Sequence, residues 1–268
     1  MRTCIFCDST GPLSNEDAWP LWLNDILEQM IPDGAKANVL IETTRGFSKQ
    51  IDDVPGIHPA KTHKVCGHCN HGWMSQLENE VKPVLAPLIL GQTCQLAAAD
   101  QELIATWAIK TAITLQHTVP GEEGFPPKAA HTWLRTKRTP PPRYRVFIGA
   151  VTPIEDKQPL RWEQSKALVV GAPNLATASL PKLVNTFVTM LLAGQVVFQV
   201  IGDFRDDRKG GVPAIAPRLF DRVWPVRAPL AWPGIRFSRP QMMMLSQSEA
   251  RQANAALTIE WHPPIMVG

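Results

Sequence analysis

Four of the five cysteines in this chain form two C-x2-C pairs, Cys4 with Cys7 and Cys66 with Cys69, and 58 residues separate the pairs. A C-x2-C turn lets both thiolates face one ion at about 2.3 Å, and two such turns complete a tetrahedron. A closed four-thiolate site suits zinc and has no open position, so the spacing predicts a structural Zn²⁺. The alternatives are a redox pair and an iron–sulfur cluster. The βαβ pattern that would favour a thioredoxin-like redox pair is missing.

Polar residues stand next to both pairs. Glu16 and Asp17 are adjacent in "LSNEDAWPLWL", and Asn70 directly follows the last thiol in "KVCGHCNHGWMSQLE". Each has a purely structural interpretation. Ser14-x-x-Asp17 fits a capping box for a following helix, where acidic residues also favour the helix dipole. Asn70 fits the N-cap of a helix that begins at the next residue.

Taken together, the segments "CIFC", "LSNEDAWPLWL" and "KVCGHCNHGWMSQLE" resemble the HNH nuclease family, also called the ββα-metal or His-Me finger group, over roughly residues 4–90. Some members of that family brace a hairpin and a helix with a zinc ion between C-x2-C pairs. The resemblance implies that Glu16 and Asn70 bind one catalytic Mg²⁺ or Mn²⁺. It also places Asp17 where the family has its general-base histidine.

An aspartate at position 17 changes the expected chemistry, because an unshifted Asp has a pKa of about 3.9 against about 6.5 for His. Such a carboxylate is a poor base for water unless its pKa is raised or the water is bound to metal. Asp17 could instead act as a third oxygen ligand. Otherwise a histidine near the second pair supplies the base. The candidates are His63, His68 and His71, of which His71 is best placed because it adjoins Asn70.

The charge of the chain is unevenly distributed. Residues 1–91 carry 7 basic and 11 acidic side chains, whereas residues 92–268 carry 20 and 13. The excess of basic residues in the second region is concentrated in a stretch without acidic residues, which could contact a nucleic-acid backbone. Its basic residues are Lys128, Arg135, Lys137, Arg138, Arg143 and Arg145. The alternative interpretation is a solvated basic face beside a Pro-rich loop.

Hydrophobic periodicity predicts an α+β protein with a small zinc-braced ββα-type module followed by helices and a mainly antiparallel sheet. Helices are expected over residues 20–30, 70–81 and 98–118, around "AAHTWLRT", and in the closing "SQSEARQANAALTIEW". Strands are expected at "YRVFIGAV", "ALVVGA", "FVTMLLAG" and "VVFQVIGD", with "RVWPVRAPLAWPG" as an edge or wrapping segment. We divide the chain into an HNH-like module, residues 1–91, and a C-terminal region, residues 92–268.

The sequence has no apolar run near the roughly 20 residues that cross a bilayer and no signal-peptide pattern, so we expect a cytoplasmic protein without membrane contact. The expected activity is metal-dependent hydrolysis of DNA phosphodiester bonds. The main alternative is a catalytically inactive zinc-binding scaffold that binds nucleic acid or a protein partner. A redox or zinc-sensing switch built on the thiols is a third hypothesis.

Overall fold

A computed structural model describes most of the chain and shows an α+β fold. The described residues are 3–30, 37–42, 48–54, 61–117, 127–153, 161–170, 186–204, 219–242, 257–260 and 265–267. None of the helices within these ranges has the length and apolarity to cross a bilayer.

Two antiparallel strands that are distant in sequence form the base of the N-terminal module. Strand β1 (Leu13–Asp17) pairs with β4 (Lys61–Cys66), and the register sets Leu13 opposite Cys66 and Asp17 opposite Lys61. The intervening chain contributes a helix and a strand pair, α1 (Trp22–Glu28), β2 (Ala37–Glu42) and β3 (Ser48–Val54). The predicted helix over residues 20–30 is confirmed in its central part.

Strand β4 runs directly into a long helical stretch. It consists of α2 (Gly67–Cys69), a π-helical segment (Asn70–Met74) and α3 (Ser75–Ile89). The backbone of Gly72 departs from helical geometry, with φ −93° and ψ −111°, and kinks the stretch just after the second cysteine pair. π-Helical turns inside helices occur frequently at functional sites. The observed helix starts earlier and ends later than the predicted range of 70–81.

A central helix joins the module to the rest of the protein. Helix α4 (Ala98–Gln116) is buried at every position from residue 104 to 116, as expected for a helix covered on all sides. It packs against α3 and α5 (Lys128–Lys137) and against the sheet. Trp107 of α4 contacts Trp19 and Phe198, with ring centroids 6.2 and 5.5 Å apart. Trp19 is fully buried and therefore belongs to this core.

The C-terminal region forms a largely antiparallel sheet. Its strands are β6 (Tyr144–Val151), β7 (Arg161–Val170), β8 (Thr186–Ala193), β9 (Val196–Asp203), β10 (Asp221–Trp224), β12 (Arg236–Phe237), β13 (Leu257–Glu260) and β14 (Ile265–Val267). The order is β10-β6-β9-β8-β7-β14-β2-β3, with β12 beside β6 and β13 beside β7. A separate pair joins β5 (Cys94–Leu96) to β11 (Leu230–Trp232).

The central strands are covered on both faces, which explains their nearly continuous apolar sequences. One face of β8 joins the core around α4, and the other packs with Phe220, Phe237 and Met242. The predicted hairpin between β8 and β9 is confirmed. Its turn contains Gly194 at φ 55°, where a Cβ would lie 2.5 Å from the carbonyl oxygen of Ile89. Glycine is therefore required where the turn meets the end of α3.

One predicted helix is wrong in part. The closing "SQSEARQANAALTIEW" contains strand β13, whose residues Leu257–Glu260 pair with residues 167–170 of β7. The preceding residues 246–256 lie outside the described ranges. The predicted edge segment is confirmed, because β10 borders the sheet at one end. The division at residues 91 and 92 stays a prediction, and one buried cluster of the described side chains extends across it.

Candidate metal centre

The four paired cysteines lie together, as their spacing predicts. All four Sγ atoms are within 4.8 Å of one another, and Cys7 Sγ is 3.5 Å from Cys66 Sγ. A disulfide needs about 2.05 Å, so these are free thiols. Four sulfurs on a zinc ion at about 2.3 Å would stand roughly 3.8 Å apart at tetrahedral angles. The cluster could therefore hold one metal ion such as zinc.

The first cysteine pair is shaped by its own backbone and tied to the second. The amide of Cys4 donates to Ser9 O (2.9 Å) and the amide of Asp8 donates to Cys4 O (3.0 Å), which closes a tight turn. Asp8 occupies the left-handed region at φ 60°, which Asp tolerates better than most residues. The amide of Ile5 donates to Lys64 O (2.9 Å), so the turn is fixed directly to β4.

The electrostatics of the cluster suit a cation. Burial acts to raise the pKa of Cys4, yet backbone hydrogen bonds, chiefly from Cys66 and Phe6, leave that pKa below its usual value. Burial raises the pKa of Cys69, and the neighbouring thiols raise it further. Like charges packed this closely oppose each other's ionisation unless a cation balances them. A bound metal ion would supply that balance.

Aromatic rings cover the cluster. Trp73 is buried and meets Phe6 edge to face, with centroids 5.1 Å apart. The indole N–H of Trp73 acts to lower the pKa of the neighbouring Cys69. Trp22 is half-buried, with Lys82 Nζ 5.9 Å from its ring centroid. These tryptophans pack the small module.

The structural interpretations of the acidic pair and of Asn70 are both wrong. Ser14 and Asp17 belong to strand β1, and α1 begins only at Trp22, so no capping box forms there. The helical stretch begins at Gly67, with Cys66 in the N-cap position, and Asn70 lies inside it at φ −60° and ψ −61°. The S-x-x-D pattern is compatible with a strand as well as with a cap.

Asn70 instead joins the helix to β1. Its Nδ2 donates to Ser14 Oγ (3.2 Å), and that hydroxyl donates to Val65 O (2.9 Å). Ser14, the acceptor of this bond, lies two residues before Glu16 in β1. The amide oxygen of Asn70 is the atom that could ligate a divalent metal. The side chain of Glu16 lies outside the described part of the structure, while Asp17 is half-buried opposite Lys61.

The three histidines proposed as substitutes for the base are all exposed. His63 lies in β4, His68 lies between the two thiols of the second pair, and His71 follows Asn70. Among the described residues, no hydrogen bond holds any of these rings in one orientation. His71 thus stays a candidate by position alone.

A pair of histidines, His117 and His131, lies beside the N-terminal module, and it was not identified from the sequence. His117 Nε2 is 3.2 Å from His131 Nε2, and His131 Nδ1 is 3.3 Å from Pro127 O. His131 also packs against Phe6, with centroids 5.8 Å apart. The two histidines are 14 positions apart in the sequence, so no local motif marks them, and the packing of α5 against α4 brings them together.

Burial, with a smaller contribution from the neighbouring His117, lowers the pKa of His131 from 6.5 to about 4. The unfolded chain therefore binds a proton between these values that the folded protein does not bind. Stability should fall as the pH drops from about 6.5 to about 4, by up to roughly 3 kcal/mol. We expect His131→Phe to flatten the pH dependence of the urea midpoint across this window.

His63→Gln is the matched control, because His63 is exposed. It should keep the pH dependence of the wild type. Both variants retain the four thiols, so the loss of metal in acid contributes equally to each curve. An unchanged slope in His131→Phe would contradict the assignment.

The predicted basic residues lie on α5 and just beyond it. Lys128 pairs with Asp8 (2.6 Å) and donates to Ile5 O (2.8 Å), so α5 is attached to the first cysteine turn. Arg138 donates to Gln76 Oε1 (2.8 Å) on α3, and Arg143 donates to Phe204 O (3.1 Å). Lys137 is exposed, whereas Arg135 and Arg145 are half-buried. The basic segment thus adjoins the cysteine cluster, with the charge of Lys128 already balanced.

Comparison with known proteins gives no match: no protein-family model, no curated protein and no solved structure is significantly similar to this chain.

Proposed function

We propose that this chain is an HNH-like, metal-dependent endonuclease that hydrolyses DNA phosphodiester bonds. The observation that carries the proposal is the order of its elements. An antiparallel strand pair, β1 with β4, leads through the second cysteine pair into a helix, and Asn70 of that helix contacts Ser14 of β1. This arrangement provides the strand, strand and helix that such a site requires.

Two kinds of metal site support this activity. The four thiols hold a structural zinc ion, which a closed site would keep from reacting. Glu16 and Asn70 are the candidate ligands for a catalytic Mg²⁺ or Mn²⁺, with Asp17 as a possible third oxygen ligand. That ion would polarise the scissile phosphate and stabilise the charge on the leaving 3′-oxygen.

The DNA backbone would lie along the basic segment that adjoins the cysteine cluster. Lys137, Arg138 and Arg143 are exposed, and Arg135 and Arg145 are half-buried. Contacts of this kind hold phosphates without discriminating between sequences. Lys128 is expected to contribute less, because it already pairs with Asp8.

Purified protein should nick supercoiled plasmid DNA in the presence of Mg²⁺ or Mn²⁺. Asn70→Ala and Glu16→Ala should each reduce the nicking rate by more than about 100-fold, since even outer-shell partners of a metal are worth about 10–100-fold. The measurement is the rate of conversion of supercoiled to open-circular plasmid at fixed metal concentration.

Ser14→Ala is the matched control for Asn70→Ala. It removes the acceptor of the Asn70 hydrogen bond but keeps the amide oxygen. If Asn70 ligates the metal, Ser14→Ala should retain most of the activity. Equal losses in both variants would instead mean that Asn70 only fixes the helix to β1. Asp17→His completes the panel, because a gain would identify a lost base and a loss would show that Asp17 itself acts.

The second candidate function is a zinc-binding scaffold without catalysis that binds nucleic acid or a protein. The hydrogen bond from Asn70 to Ser14 favours it, since that bond accounts for Asn70 without a second metal. Metal analysis separates the two functions. The scaffold predicts one zinc per chain and no heat of Mn²⁺ binding in calorimetry, whereas the nuclease predicts a second site that Asn70→Ala weakens.

A further inference from the structure

The histidine pair lies at the same end of the β1–β4 strand pair as the acidic residues. The hydroxyl of Thr62 donates to the backbone oxygen of His117 at 3.2 Å. Thr62 stands opposite Glu16 in the register, and the next pair in the register is Asp17 with Lys61. The end of α4, where His117 lies, is therefore attached to the strand position that faces the candidate metal ligand.

The hydrogen bonds of the pair select one tautomer for each ring. A carbonyl oxygen only accepts, so the contact with Pro127 O requires the proton of His131 on Nδ1. The Nε2 of His131 is then the acceptor of the 3.2 Å contact, and His117 donates to it from its own Nε2. Neutral His117 consequently carries its basic lone pair on Nδ1.

The two rings differ in their access to solvent, as a base and its support should. His131 of α5 is 3% exposed and packs against Phe6, whereas His117 is half-buried. The charged groups nearest to His131 are Lys128 and Asp8, which pair with each other at 2.6 Å. Burial keeps the pKa of His131 near 4, so at neutral pH it stays an uncharged acceptor. His117 is the more exposed of the two rings.

We propose that His117, oriented by His131, is the general base of the nuclease activity and replaces the histidine that is missing at position 17. This inference rests on the proposed function. In the step, Nδ1 of His117 takes a proton from the attacking water as the water oxygen bonds to phosphorus. The bond from phosphorus to the 3′-oxygen breaks, its electron pair leaves on that oxygen, and solvent protonates it.

The structure favours His117 over the histidines near the second cysteine pair. His63, His68 and His71 are exposed, and no hydrogen bond from a described residue orients them. A base must present its lone pair in a fixed direction to contribute fully to proton transfer. Among the described histidines, His117 is the one whose accepting nitrogen is fixed by a buried partner.

The test uses plasmid nicking with Mn²⁺ by the full chain. His117→Gln retains an amide donor for His131 but cannot take a proton, so the rate should fall about 10²–10⁴-fold. The acid limb of the pH–rate profile, where protonation of the base lowers the rate, should disappear as well. His117→Ala should be partly rescued by added imidazole, which a merely structural role would not produce. His131→Phe should move the pH of that limb, because it removes the orienting acceptor.

The outcomes distinguish this inference from the function on which it rests. One outcome is that the wild type nicks DNA, Asn70→Ala abolishes nicking, and His117→Gln nicks at a rate within a few-fold of the wild type. In that case His117 is not the general base, while the proposed nuclease activity is retained. A larger loss in His71→Gln than in His117→Gln would likewise overturn the inference. If the wild type does not nick DNA with either metal, both proposals fail.

A measurement on the wild type covers the case in which the His117 variants do not fold. The pKa of the His117 ring, obtained by NMR titration, should coincide with the acid limb of the pH–rate profile of the wild type. A difference of more than about one pH unit would overturn the proposal.

Discussion

Replacement of Cys69 by serine should release the metal ion and unfold the N-terminal module. Cys69 is fully buried among three other thiols, so its loss leaves an incomplete site in the core. Structural zinc contributes about 10–16 kcal/mol to the folding of small zinc-dependent domains. A loss of even a few kcal/mol should lower the melting temperature by at least about 10 °C. Zinc content should fall from one equivalent to none, as measured by a colorimetric chelator after unfolding.

Cys94→Ser is the matched control for this experiment. Cys94 is half-buried in β5 and lies outside the cluster of four. The same substitution there should leave one zinc per chain and change stability by no more than about 1 kcal/mol. Full zinc content and an unchanged melting temperature in Cys69→Ser would contradict a four-thiolate metal site.

Removal of the buried lysine of α4 should strongly destabilise the protein. The side chain of Lys110 is 0% exposed, and its Nζ lies 2.6 Å from Glu78 Oε1, which is 18% exposed. Lys110→Met would leave a carboxylate without its cation between α3 and α4. Breaking one side of a buried ion pair costs about 3–5 kcal/mol. Urea unfolding should report this cost as a lower midpoint with an unchanged slope.

The double variant Lys110→Met with Glu78→Leu tests the origin of that loss. Replacing both partners by apolar groups removes the unbalanced charge, so most of the stability should return. Lys82→Met is the control on the surface, because Lys82 is exposed on α3. It should stay within about 0.5 kcal/mol of the wild type. A Lys110→Met midpoint equal to that of Lys82→Met would show that the pair contributes nothing.

Local patterns predicted the parts of this protein that local chemistry determines. The C-x2-C spacing predicted the thiol cluster, since each turn sets its own two sulfurs. The strands β6 and β9 were predicted at their observed bounds, because apolar β-branched runs bordered by polar or glycine residues favour buried strands. The buried α4 was likewise predicted by its length and apolar spacing.

Features that depend on distant partners could not be predicted in this way. Residues 246–261 contain strong helix formers, yet Leu257–Glu260 form a strand because β7 offers them a partner. Ser14 and Asp17 fit a helix cap locally, but pairing with β4 extends them into β1. The contact between His117 and His131 depends on how α5 packs on α4, and no spacing in the sequence encodes it.

The wide separation of the two cysteine pairs also has a consequence during synthesis. Translation proceeds at about 5–20 residues per second, so roughly 3–12 s pass between the addition of Cys7 and that of Cys69, 62 positions later. For that time the nascent chain holds two thiols without their partners and a strand β1 without β4. The segment around the first cysteine pair therefore cannot complete its metal site or its strand pair as it leaves the ribosome. Its two thiols stay reduced, and β1 stays without its partner strand, until residues made several seconds later emerge.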